Sequence, residues 1–137
     1  GRSGMAGQEH AGRMKYLLDS NILIALGLDA DKAIASKAAD CDADDLVTSV
    51  IAYAEVVYGS VRGKPPSFVG LEVLIEEVPA MPFDYAAARA YATIPFRRAS
   101  YDHLIAAHAL ALGMTLVTDN EADFADVPGL KVENWTV

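Results

Sequence analysis

The chain has 137 residues, 53% of them hydrophobic, and a formal net charge of −8 from 19 acidic and 11 basic side chains. That length suits one domain with a real core; no apolar run is long enough to span a membrane, and the single Cys41 offers neither a disulfide framework nor a thiolate metal site. The acidity argues against a polyanion binder that works through a basic surface, but not against an enzyme that meets nucleic acid through bound cations.

The opening "GRSGMAGQEHAG" is small and polar and lacks a charged n-region followed by an apolar h-region. Residues 1–13 are therefore expected to be an expression remnant or disordered leader, and 14–137 a single domain of the reducing cytoplasm. Lys15–Leu18 reads as a short buried strand that ends at an acid, and Ser20–Leu28 as a helix with Ser20 or Asn21 as its cap. "ADKAIASKAAD" (30–40) is rich in good helix formers, "DADD" (42–45) marks a turn, and "LVTS" (46–49) is a second strand. A helix follows over Val50–Val61, with Gly59 and Gly63 near its end. Pro65 and Pro66 open a further helix towards Glu77, and "VPAMP" (78–82) is extended. Asp84 caps "YAAARAYATI", Pro95 stops it, and "FRRAS" (96–100) is a loop. Tyr101–Leu112 is a helix closed by Gly113, "MTLVT" (114–118) a strand and "KVENW" (131–135) a last one. Short apolar strands alternating with helices, without an Asn-Gly hairpin signal, imply parallel strands with helical crossovers: an α/β sandwich.

Four acids sit in unexpected company. Asp19 interrupts the apolar run "KYLLDSNILI" at the end of the first strand, where open α/β sheets place their sites. Glu55 is the only charged residue in "LVTSVIAYAEVVYGSV" (46–61), and its helical neighbours Ile51, Ala52, Tyr58 and Gly59 form no charged solvent face. Asp102 precedes "HLIAAHALALGMTLVT", which holds no acid, Lys or Arg, and Asp119 closes that last strand as Asp19 closes the first. Each has a plainer role available: Asp19 and Asp102 as helix caps or first-turn acids, Asp119 as a turn residue. Glu55 has the least room for one. Taken together, carboxylates converging at strand ends would repel one another and either raise their pKa values or require a cation. An all-oxygen donor set favours Mg²⁺ or Mn²⁺ over zinc, and such a site suits phosphoryl chemistry.

"YLLDSNILI", "TSVIAYAEVVYG", "YDHLIAAHALALGMTLVTDNEADF" and "VPGLKVENW" resemble the PIN-domain ribonucleases, most closely the VapC-type toxins of bacterial toxin–antitoxin pairs. The resemblance runs from about Met14 to Trp135, with four motifs in the family's order. It implies a PIN-like three-layer α/β/α sandwich with a short, mainly parallel central sheet. It also implies a Mg²⁺- or Mn²⁺-dependent endoribonuclease that cuts single-stranded or loop RNA, a cognate VapB-type antitoxin and a homodimer. Carried over by position, Asp19, Glu55 and Asp102 match the first three acids of the family's quartet, with Asp19 and Asp102 the most direct metal ligands. Asp119 fits the fourth position at the strand end, while Asp123, just before a phenylalanine, matches the acid that many relatives carry; a helical turn over Glu121–Phe124 would let both approach the metal, Asp123 through water. Glu55 and Asp119 complete the metal shell or position the attacking water, and Ser20 and Asn21 match the small polar residues that support the first acid.

The chain departs from the family in two places. The segment around "VRGKPPSF" is short, and the loop before the third acid reads "IPFRRASYD", where Arg97 and Arg98 are either contacts for RNA phosphates or solvent-facing charges. His108 points away from Asp102 on a helix and reads as packed, and His103 as facing elsewhere. Tyr53 and Tyr58 read as core or dimer packing rather than base-stacking groups, and "DCDADD" (40–45) as a solvated turn rather than a calcium loop. Two other functions compete. An aspartyl-nucleophile phosphatase or dehalogenase also carries an Asp after its first strand, but Asn21 stands where its general acid belongs. A catalytically inactive PIN-like protein-binding module would have no need to keep every acid.

Overall fold

A computed structural model describes residues 15–98 and 100–136, so the expectation for residues 1–13 lies outside the described residues. Five strands, β1 (Tyr16–Leu18), β2 (Leu46–Ser49), β3 (Ala80–Met81), β4 (Thr115–Val117) and β5 (Val132–Glu133), form one sheet in the order β3-β2-β1-β4-β5. Every pairing in it is parallel. Six α-helices among the described residues flank it: α1 (Ser20–Leu28), α2 (Lys32–Ala39), α3 (Val50–Ser60), α4 (Phe68–Glu77), α5 (Tyr85–Tyr91) and α6 (Tyr101–Leu112). Consecutive residues of a strand face opposite sides, yet Leu17 and Leu18 of β1 and Leu116 and Val117 of β4 are all fully buried. Helices therefore cover both faces, which is why these strands read as unbroken apolar runs. The expected three-layer α/β/α sandwich with a parallel sheet is what the chain forms.

The order of strands fixes where a site can form. The chain steps from β1 outwards through β2 to β3, then returns to the other side of β1 for β4 and β5. The strand order thus reverses between β1 and β4, and the crevice at the carboxyl ends of those two strands is the topological switch point. Leu18 pairs with both Thr48 and Val117, so the next row across the sheet edge is Ser49, Asp19, Thr118. The equivalence read from the sequence is off by one: Thr118, not Asp119, stands beside Asp19. The strand β4 ends at Val117, and Asp119 is carried one residue past the edge.

Other boundaries shift for local reasons. Pro65 and Pro66 do not open α4; Ser67 does, with its hydroxyl accepting from Gly70 N at 3.0 Å. Asp84 caps α5 as expected, but the α-helix ends at Tyr91, and residues 92–94 continue in tighter bonds three residues apart. The last strand is shorter than 131–135, since Trp135 leaves the sheet to pack edge-to-face on Tyr16 at 5.1 Å. Helix α6 is buried almost all round, through Ile105, Ala106, Ala107 and Ala109, and it ties the sheet to the helices that carry the acids.

Candidate active site

Asp19 follows β1 directly and is the first residue past the sheet edge; only 5% of it is exposed. Its Oδ1 accepts from Ser20 N at 2.8 Å and its Oδ2 from the Thr118 hydroxyl at 2.9 Å. The backbone is pinned as well, with Asp19 N donating to Val117 O at 2.9 Å. Burial pushes its pKa up to about 6 against the pull of the Thr118 and Ser20 bonds, and the charges of Asp102 and Asp119 raise it further. Sequence reasoning passed over Thr118. The parallel register is the signal that finds it, because the polar residue ending β4 must lie beside the polar residue ending β1.

Glu55 projects from the middle of α3. It is half-buried, and its Oε1 is buried without a partner among the described residues. Burial first, then the charges of Asp19 and Asp102, push its pKa up to about 7, while a hydrogen bond from the Ser20 hydroxyl pulls the other way. Asp102 lies in the first turn of α6, where Ser100 is the cap, with its hydroxyl accepting from His103 N at 3.3 Å. Asp102 is raised as well: burial leads, and a neighbouring Asp123 adds charge and a shared hydrogen bond, opposed by Arg97. Asp19 thus feels the charge of Asp102, and Glu55 that of Asp19 and Asp102, across elements that are far apart in sequence.

The two candidates for a fourth acid fall on different sides. Asp119 is exposed and meets Asn21, whose Nδ2 donates to its Oδ1 at 3.4 Å. Asp123 lies in a short 3₁₀ turn, Glu121–Phe124, half-buried beside Asp102, and its Oδ2 accepts from Asn120 Nδ2 at 2.6 Å. Glu55, Asp102 and Asp123 line one cleft of about 290 Å³ with Arg97, Arg98, Ser100 and Tyr101. Arg97 is not free in it: its Nη2 donates to Asp126 Oδ2 at 3.2 Å and its Nη1 to Asp123 O at 3.3 Å. The other oxygen of Asp126 faces His103 Nε2 at 3.1 Å. Arg98 is exposed. Of the histidines, His103 turns to Asp126 and not to the acids, and His108 is fully packed against Ser49 Oγ, at 2.7 Å, and the ring of Phe83. Asp42–Asp45 forms a self-capped 3₁₀ turn at the other end of β2, far from this edge in the strand register.

A cluster of carboxylates raised by burial and by neighbouring acids at a switch point is the kind of site a nuclease uses, and known proteins place the chain among such enzymes. The PIN domain family model matches residues 16–130. The chain is 31% identical over 133 residues to Ribonuclease VapC1 of Haemophilus influenzae strain R2866, covering 90% of this chain and 99% of that one. It is a PIN-domain protein of the VapC ribonuclease family. As such it is a nuclease. The tRNA(fMet)-specific endonuclease VapC of Shigella flexneri is 26% identical over 132 residues, 90% of this chain and 99% of that protein. Among solved structures, VapBC2 of Rickettsia felis, bound to a DNA fragment from their promoter, superposes with a TM-score of 0.78. Its identity is 26%, over 89% of this chain and 99% of that one. No helix among the described residues of this VapC-family chain is long and apolar enough to cross a membrane.

Proposed function

We propose that this chain is a Mg²⁺- or Mn²⁺-dependent endoribonuclease toxin that hydrolyses RNA phosphodiester bonds and is held inactive by a cognate VapB-type antitoxin. The observation that carries it is the convergence of Asp19, Glu55 and Asp102 on the β1/β4 switch point, each with its pKa raised by burial and by its neighbours' charge. An inert scaffold gains nothing from holding three repelling carboxylates together.

The donor set fits a hard cation. All the acids offer oxygen, and Glu55 Oε1 is buried with no partner among the described residues. No three carboxylate, imidazole or thiolate groups among the described residues are arranged to hold an ion by themselves. Mg²⁺ does not require that: it keeps several waters and is held by one or two carboxylates together with substrate phosphates. Asp19 and Asp102 would be its most direct ligands, Glu55 and Asp119 would complete the shell or position the attacking water, and Asp123 would act through Asp102. When bound, the cation supplies positive charge for the phosphate oxygens and makes water a better nucleophile. The chain's own residues do the rest. Thr118 and Ser20 N fix the Asp19 carboxylate, the Ser20 hydroxyl steers Glu55, and Asn21 holds Asp119 at the rim. Arg98, exposed at the cleft, presents charge to the phosphates of the strand, and Arg97 would join it only by leaving Asp126.

The chain's net acidity suits a basic antitoxin segment whose Arg or Lys enters the cleft, and two of these chains pair as a homodimer in this reading. The test is cleavage of a mixed RNA panel by the purified chain with Mg²⁺, Mn²⁺ or EDTA, beside Asp19→Asn and Asp102→Asn. Cation-dependent cutting that both substitutions abolish supports the reading. Cutting that persists in EDTA, or in both variants, removes it.

A further inference from the structure

Beside the acids the surface turns aromatic. Tyr58 lies one turn after Glu55 on the same face of α3, and Tyr101 immediately precedes Asp102 at the start of α6. Neither is packed away: Tyr58 is 62% exposed and Tyr101 59%. Tyr53, by contrast, packs against the core, so the expectation of core packing holds for Tyr53, while Tyr58 stays exposed on this chain. Tyr58 and Tyr101 line a groove of about 410 Å³ whose remaining lining is Ile51, Ala54 and Glu55. Through Glu55 and Tyr101 that groove runs into the cleft that holds Asp102, Asp123, Arg97 and Arg98. Arg62 stacks its guanidinium 3.5 Å from the centre of the Tyr58 ring and anchors itself to Tyr58 O at 3.0 Å.

Aromatic rings interleaved with cations along a groove are how proteins hold single-stranded nucleic acid without reading its sequence. A phosphodiester bond at the acids carries a nucleobase within reach on either side, and an unpaired base needs a flat apolar partner. We propose that Tyr58 and Tyr101 form a base-stacking subsite, in which the groove between them takes one unpaired nucleobase of the RNA strand whose phosphate meets the acids. The inference rests on the nuclease reading for where the phosphate lies. Two tyrosine rings and two apolar side chains make most of the groove's lining, so stacking outweighs hydrogen-bond readout and the subsite tolerates any base. Arg62 braces the Tyr58 ring from one side, which leaves less freedom to lose when a base stacks.

The experiment compares two fluorescein-labelled strands of equal length, a mixed-sequence single-stranded RNA and a ribose-phosphate strand without bases. Binding is measured by anisotropy with the full chain carrying Asp19→Asn, so that the strand survives. The expected result is a preference of roughly tenfold or more for the strand with bases. Tyr58→Ala and Tyr101→Ala each remove most of that preference, while Tyr58→Phe and Tyr101→Phe keep it and the salt dependence of binding does not change, since no charge is lost. Tyr85→Ala, at a still more exposed tyrosine outside the groove, leaves the preference intact. Equal affinity for both strands, or a preference that survives both alanine variants, overturns the proposal. So does a pair of alanine variants that lower the chain's mass in light scattering without touching the preference, which would make this face a contact with a second copy. Cleavage by the unsubstituted chain is scored apart. Cutting without a base preference sinks the subsite and spares the nuclease reading; a base preference without cutting does the reverse.

Discussion

Helices α1 and α2 both start after an aspartate in extended backbone, and the two aspartates are used in opposite ways. Asp31 accepts from Ala33 N at 2.9 Å and Ile34 N at 3.1 Å, the second and third amides of α2, which is what an N-cap does. Asp19 accepts only from the first amide of α1, Ser20 N, and turns its other oxygen to Thr118 across the sheet edge. Asp31 lies partly in solvent, while Asp19 is 5% exposed and flanked by other acids. The same residue at the same kind of position thus stabilises one helix and is held in readiness at the other. What separates the two is how each carboxylate is satisfied, not whether a helix follows.

The largest effects should come from breaking the Asp19 side of that comparison. Asp19→Asn or Asp102→Asn lowers RNA cleavage by about a hundredfold or more with the fold retained, measured on a fluorescent single-stranded substrate with Mg²⁺. Asparagine still caps helices well, so a loss of cleavage cannot be laid to a lost cap. Asp31→Asn leaves cleavage unchanged. Removing only the orientation of Asp19 has a smaller effect: Thr118→Val keeps the shape and deletes the hydroxyl bond to Oδ2, lowering cleavage roughly 10- to 100-fold. If Thr118→Val cuts as fast as the parent chain, Asp19 does not need to be aimed and the contrast with Asp31 weakens.

Stability against pH sharpens the contrast further. Asp19 and Glu55 have folded pKa values of about 6 and about 7, above their ordinary 3.8 and 4.5. A carboxyl whose folded pKa is raised contributes stability that is fully present below its unfolded pKa and lost as pH rises through the folded value. For this chain without cations the loss falls between about pH 4 and pH 7. Asp19→Asn escapes it, so at about pH 8 the variant should be more stable than the parent by on the order of 2 kcal/mol, and equally stable near pH 4. Urea titrations of both proteins across that range, in EDTA, measure the difference. Adding Mg²⁺ at about pH 8 should stabilise the parent and leave the variant nearly unmoved, because a ligand that binds only the folded state adds to its stability.

Much of this was legible beforehand, for a physical reason. Apolar runs such as Tyr16–Leu18 and Leu46–Ser49 are continuous because both faces of a parallel strand are covered, and the acids stood out against them. Glu55 was the clearest case: a lone charge among apolar helical neighbours, which the fold leaves with a buried, unpartnered oxygen. What stayed hidden was register and long-range pairing. Thr118 became visible only once Leu18 was seen opposite Val117. The commitment of Arg97 to Asp126, and of Asp126 to His103, joins residues more than twenty positions apart that no local pattern links. The end of α5 was misread because its last turns tighten without any breaker before Pro95. Asp119 and Asp123 were both in view, but only the 3₁₀ turn at Glu121–Phe124 brings Asp123 to Asp102 and leaves Asp119 at the rim.

The smallest effect closes the comparison from the other side. Asp31→Ala removes the acceptor for two amides at the start of α2 and leaves them to water. Such a change costs about 1 kcal/mol, which for a chain of this size lowers Tm by roughly 3 °C. The loss should be the same with or without Mg²⁺, because Asp31 does not line the cleft that holds the acids. Asp19→Ala deletes a single bond to an amide and one to a hydroxyl, and in EDTA at about pH 8 the relief of repulsion should outweigh both. Thermal melts of the two alanine variants in the same buffers should therefore move in opposite directions. If both fall by the same amount at every pH, Asp19 is a cap like Asp31, and the carboxylates around it are not under the strain that the site's chemistry needs.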